Sequence, residues 1–95
     1  MAQIELARAA AEDLDRLILT HSLPPDTRQR VRTSLEPLRQ FPRLGPELAV
    51  RWEGFRFLLG PWRWMLLAYI FDEARDRATI VTIQDARTSS TTTGD

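Results

Sequence analysis

Polar and apolar residues alternate over Gln3-Ile4-Glu5-Leu6, the period of a strand with one face turned inward. From Ala7 the period lengthens. Ala10, Leu14, Leu17, Ile18 and His21 recur at helical spacing, while Glu12, Asp13, Asp15 and Arg16 take the other side. Alanines favour this helix, and its early acids suit the N-terminal dipole. Pro24-Pro25 ends it, because proline lacks an N–H and restricts the residue before it. A second helix is predicted to open with Pro25 and Asp26 in its first turn, with Val31, Leu35 and Leu38 as its apolar stripe. Arg28, Arg30, Arg32 and Arg39 form its solvated side. Pro37 would cost about 3 kcal/mol inside a regular helix, so a kink or a late break is expected there. Phe41-Pro42 and Gly45-Pro46 close the helical part, leaving two helices on a proline turn, a helical hairpin.

After Pro46 the pattern is that of strands: Ala49–Glu53, Phe55–Leu59, Trp62–Asp72 and Ala78–Asp85. Gly60-Pro61 signals a tight turn and Glu73–Arg77 a polar hairpin connection. Strand, helical hairpin and antiparallel meander make an α+β sandwich of helices on one sheet. Residues 1–87 form one domain, and the Ser/Thr/Gly-rich tail Thr88–Asp95 is expected to be flexible.

If Gly60 and Pro61 are a two-residue turn, Leu59 pairs with Trp62 and Arg56 with Met65. Alternation then gathers Phe55, Phe57, Leu59, Trp62, Trp64, Leu66, Ala68 and Ile70 on one face, expected under the helices. Arg56, Leu58, Arg63, Met65, Leu67, Tyr69 and Phe71 fall on the other, which nothing else in the chain covers. An uncovered apolar face on so small a domain implies a protein partner or a second copy of the chain. Whether Arg87 joins Arg56 and Arg63 depends on the loop after Asp72. Five loop residues put Thr79, Val81, Ile83, Asp85 and Arg87 on the arginine face, and four put them on the other.

Composition narrows the chemistry. The chain of 95 residues is 43% hydrophobic and 27% charged, values of one small globular domain. It has no cysteine and a single histidine, so neither a disulfide frame nor a thiolate or His-rich metal site is expected, and no cofactor. The longest apolar run, Trp64–Phe71, is far short of a membrane span, and Met1–Glu5 carries no secretory pattern; a cytoplasmic protein without membrane contact is expected. Thirteen basic residues balance thirteen acidic ones, and every basic residue is arginine. Arginine binds anions well and shuttles protons poorly. A net charge of zero lacks the footprint nucleic-acid binders usually carry.

Several segments, taken in order, resemble the RelE/ParE superfamily of type II toxin–antitoxin toxins. They are Ala10-Ala11-Glu12-Asp13-Leu14, Leu38-Arg39-Gln40-Phe41-Pro42, Gly54-Phe55-Arg56, the strand Trp62–Tyr69, and Thr82-Ile83-Gln84-Asp85-Ala86-Arg87. The resemblance implies the same short strand, helical hairpin and antiparallel sheet. It also implies a cognate antitoxin whose disordered segment folds across the toxin. RelE-like members cleave ribosome-bound mRNA, and ParE-like members poison DNA gyrase. Cleavage needs a base for the 2′-hydroxyl, an acid for the leaving oxygen and stabilised phosphorane charge. By resemblance, Arg63 stands at the position of the family's third-strand arginine and Arg87 at that of the arginine after the last strand. The lysines of the active ribonucleases are missing, and no tyrosine or histidine follows Arg87. Tyr69, Asp85 and Glu53 remain for proton transfer, with Tyr69 also readable as a packed sheet residue and Asp85 as an ion-pair partner of Arg87. His21 reads as a helix-end residue beside the C-terminal dipole. The missing acid/base groups and the neutral charge favour a ParE-like protein that acts by contact over a RelE-like endoribonuclease. An attenuated relative that only binds a partner is a third reading.

Overall fold

The structure, a computed structural model, describes residues 1–47 and 54–87. The expected strand Ala49–Glu53, with Trp52 and Glu53, and the tail Thr88–Asp95 lie outside the described residues. Strand β1 (Gln3–Leu6) leads into helix α1 (Arg8–Thr20) and then α2 (Thr27–Leu35). Strands β2 (Arg56–Leu59), β3 (Met65–Asp72) and β4 (Arg77–Asp85) complete one sheet in the order β1-β4-β3-β2. β1 joins β4 in parallel; the other pairs are antiparallel.

The first turn of α1 is Arg8 and three alanines, so its acids begin one turn later than the dipole argument places them. Its end is well defined. The His21 N–H donates to the Leu17 carbonyl, Ser22 takes a left-handed conformation (φ 51°), and the Leu23 N–H returns to the Ile18 carbonyl at 3.0 Å. That six-to-one bond is the Schellman closure, which satisfies carbonyls the helix would leave bare. In α2, Thr27, Val31 and Leu35 are buried at four-residue spacing, with arginines outside. Pro37 cannot donate to continue the helix, and the chain tightens into a 3-10 turn over Glu36–Arg39, burying Leu38.

The sheet departs from expectation in register and in face. Leu59 pairs with Leu66, not Trp62, and Arg56 with Tyr69, not Met65. The Gly60 N–H closes a wide turn on the Met65 carbonyl (2.8 Å), while the Met65 N–H donates to Trp62 (3.0 Å). Trp62, Arg63 and Trp64 therefore belong to the turn. A slip of four residues is even, so the two sets of strand side chains survive, but their environments are exchanged. Met65, Leu67 and Tyr69 are fully buried under the helices, with Leu58 and Phe71 packed against the same core. On the other side Leu66 and Ala68 are still buried, but Leu59 and Ile70 are 49% and 38% exposed. The physical reason is the tryptophans. Once they leave the alternation, the set holding Phe57, Leu59 and Ile70 loses its bulk, and the larger apolar area is that of Met65, Leu67, Tyr69 and Phe71.

The β3–β4 loop has four residues, since Asp72 pairs with Arg77. That places Ala78 and Ile80 beneath the helices, where both are buried. A bulge opposite Ala68 and Tyr69 then absorbs one residue of β4 and brings Ile83 and Asp85 back to the same face. Asp13 of α1 covers the disrupted ladder: its Oδ2 accepts from the Thr82 hydroxyl (2.7 Å) and the Ile83 N–H (3.1 Å).

Candidate functional site

Because the bulge restores Asp85 to the helix-covered face, its carboxylate ends β4 facing the end of α1. It is only 8% exposed. Arg87, two residues on, turns back to it in a bidentate grip: Nε donates to Oδ1 (3.1 Å), Nη2 to Oδ2 (2.9 Å), and the Arg87 backbone N–H to Oδ1 (2.9 Å). These donors hold the Asp85 carboxyl well below the usual carboxylate range, against the opposing effect of burial, and Asp85 in turn raises Arg87. From α1, His21 brings Nε2 to 3.1 Å from Asp85 Oδ2, and its Nδ1 lies 3.0 Å from the Thr20 hydroxyl. An ionised carboxylate only accepts, so the neutral imidazole carries its proton on Nε2 and Nδ1 keeps the lone pair.

Trp64 positions both side chains. His21 stacks on its ring at 4.6 Å and 14°, and the Arg87 guanidinium lies 5.1 Å from its centroid. Trp62 stacks beside Trp64 at 6.1 Å, with Arg30 at 5.8 Å from the Trp62 ring. The Ala86 N–H donates to the Trp64 carbonyl (2.6 Å), tying the turn to the end of β4. An aromatic floor thus carries an arginine and an oriented imidazole, both reaching one carboxylate. Such a set can hold an anion on the exposed part of Arg87 and accept a proton at Nδ1.

The sequence-derived residues are divided by this geometry. Asp85 and Arg87 are together, and exposed Arg63 stands on the turn next to Trp64. Tyr69 is elsewhere: its register position lies four residues from Met65, the partner of Asp85, or about 13 Å along the strand. Its buried hydroxyl accepts from the Gly45 N–H (3.0 Å), and burial pushes its pKa up. Arg56 does not share a face with Arg63; its Nη1 donates to the carbonyls of Gly45 (2.8 Å) and Arg43 (3.3 Å), fastening the loop after the 3-10 turn. Among the surface expected to meet a partner, Met65, Leu67 and Tyr69 are interior and Leu58 and Phe71 half-buried. Sequence reasoning set His21 aside and assigned Trp64 to the core. Their meeting with Asp85 spans 64 residues of chain and carries no local signal.

No family model matches this chain, and no curated protein does. Two solved structures from Helicobacter pylori are similar. One is a copper-bound point mutant of a toxin, 18% identical, matched over 92% of this chain and 97% of that one with a TM-score of 0.59. The other is the solution structure of the conserved hypothetical protein HP0894, 19% identical over the same shares, with a TM-score of 0.61. The fold is shared with a bacterial toxin. Among the described residues no helix is long and apolar enough to cross a membrane, and no cluster of His, Cys, Asp and Glu is built to hold a metal.

Proposed function

We propose that this chain is the toxin of a type II toxin–antitoxin system, ParE-like in acting by contact with a cytoplasmic protein target such as DNA gyrase, and neutralised by a cognate antitoxin. The observation that carries this reading is the dispersal of the proton-transfer candidates. Tyr69 is buried in the middle of β3, and Asp85, opposite Met65 at the start of that strand, is occupied by Arg87 and His21. The fold, matched along nearly the whole chain by a toxin, supports the coarser half of the proposal. Arg63, on the tryptophan turn, and Arg87, over the Trp64 ring, are the contact residues. Induced expression should arrest bacterial growth, and purified protein should inhibit gyrase supercoiling, with Arg63→Ala reducing both. Growth arrest with untouched gyrase and cleaved ribosome-bound mRNA would reject the contact mechanism.

A second reading is favoured by His21. Its Nδ1 lone pair, set by the Asp85 bond, is a general base of the kind RNA cleavage needs, close to the anion-binding Arg87. In that case His21→Gln would abolish mRNA cleavage while leaving antitoxin binding intact.

A further inference from the structure

Each oxygen of the Asp85 carboxylate takes one bond from the Arg87 side chain and one from elsewhere. Oδ1 accepts from Arg87 Nε (3.1 Å) and from the Arg87 backbone N–H (2.9 Å). Oδ2 accepts from Arg87 Nη2 (2.9 Å) and from His21 Nε2 (3.1 Å). If the guanidinium swings away, each oxygen keeps a donor, and what is missing is positive charge. A nearly buried carboxylate without a cation is costly. The Arg87 side chain is itself 60% exposed, so no packed group has to clear its way out.

The surroundings of His21 accept either protonation state. Its Nδ1 stands 3.0 Å from the Thr20 hydroxyl, which has a second acceptor in the Leu17 carbonyl at 3.5 Å. With a neutral ring, Thr20 donates to Nδ1. With an imidazolium, Nδ1 donates to Thr20, and the hydroxyl proton turns to Leu17, so Nδ1 keeps its partner. His21 caps the C-terminus of α1, where helix carbonyls favour a cation, and lies flat on Trp64, whose ring also favours one. From β4 it faces Asp85, from the segment beyond β4 it faces Arg87, and from the turn it faces the Trp64 ring beside exposed Arg63. Arg87 shares both the Asp85 oxygen and the indole with it, so guanidinium and imidazolium compete for one pair of partners. We propose that Asp85 clamps Arg87 in a closed position and that protonation of His21 opens the clamp. The imidazolium takes over Oδ2, and the guanidinium turns out to solvent, free to pair with a carboxylate of the target protein. Charge balances in both states: Asp85 is neutralised by Arg87 when closed and by His21 when open, the added proton coming from water. The proposal rests on the reading of Arg87 as a contact residue, but its test follows the side chains and not the target.

Composition makes the test clean. His21 is the one histidine, and the chain has neither cysteine nor lysine, so it is the side chain expected to change charge between about pH 5.5 and 7.5. In the full-length protein labelled with nitrogen-15, exchange of the Arg87 Nε–H with water is measured relative to that of exposed Arg63, which cancels the direct effect of pH on exchange. This ratio should rise at least about fivefold from pH 7.5 to pH 5.5, since one linked proton allows up to about tenfold per unit. His21→Gln keeps a donor for Oδ2 and takes up no proton, so its ratio should stay constant within about twofold. A flat ratio in the wild type overturns the clamp, and so does an equal rise in His21→Gln. If the ratio is flat while growth arrest still needs Arg87, the clamp fails and the contact reading stands. If the ratio rises in the wild type alone while growth arrest is indifferent to Arg87→Ala, the clamp stands and the contact reading fails.

Discussion

Asp85 gathers four donors at a nearly closed position, and its protonation is the sharpest lever on the molecule. Its folded pKa lies below the value near 3.9 of an unfolded chain, so its contribution is complete above about pH 5 and disappears as pH falls through the folded value. Urea unfolding between pH 7 and pH 2 should show stability falling on the acid side. Asp85→Asn keeps the shape and loses the charge; at pH 7 it should cost about 1.5–3 kcal/mol, the worth of hydrogen bonds to a charged group, and flatten the acid limb. An Asn variant that loses as much as wild type between pH 5 and pH 2 would show that other carboxylates control acid unfolding. Gly45 is constrained differently. A Cβ there would lie 2.1 Å from the Phe57 carbonyl oxygen, which belongs to the sheet backbone and cannot move aside. Gly45→Ala should therefore destabilise by about 3 kcal/mol or more, against about 1 kcal/mol for Tyr69→Phe, which removes one hydrogen bond from the same loop. Comparable midpoints for the two in denaturant would mean the loop is only loosely seated.

At the scale of elements, much was legible and the losses have identifiable causes. β1 falls on the alternating run Gln3–Leu6, and Pro37 breaks α2 where its missing N–H demands. What failed was the assumption that Trp62 and Trp64 continue a strand. Periodicity cannot see that Gly60 bonds Met65 across a four-residue excursion, and so the covered face was inverted. The open question of loop parity had a mixed answer for a similar reason. A four-residue loop settles Ala78 and Ile80, but the bulge at Val81 reverses the parity for Ile83 and Asp85, and bulges leave little trace in composition. The end of α1, in contrast, can be tested from its geometry. Ser22 sits where glycine is favoured, in a closure that sets the angle at which His21 meets Trp64. Ser22→Gly should raise stability by about 0.5–1 kcal/mol, since left-handed backbone costs an L-residue about 1–2 kcal/mol and glycine's extra entropy returns part of that. A lower thermal midpoint in this variant would argue that the serine side chain helps hold the turn.

The whole molecule distributes its arginines so that few remain open. Arg16, Arg28, Arg30, Arg39, Arg43, Arg75, Arg77 and Arg87 each reach an acidic side chain within 4.0 Å. Arg56 is taken up by backbone carbonyls. Among the described residues this leaves Arg8, Arg32 and Arg63, which come from three separate elements, α1, α2 and the tryptophan turn. A surface of this kind attracts polyanions weakly, because neutralising phosphates first requires breaking pairs already made. Counterion release gives a slope of about −0.7 in log K against log salt for each phosphate of a single strand that is neutralised, so three open arginines predict a slope no steeper than about −2. Fluorescence titration of the purified protein with a labelled RNA oligomer, from low to physiological salt, measures that slope directly. A shallow slope with weak binding fits a chain whose target is a protein. A slope steeper than about −4 would mean that the paired arginines release their acids to phosphate, and nucleic acid would then become the better target.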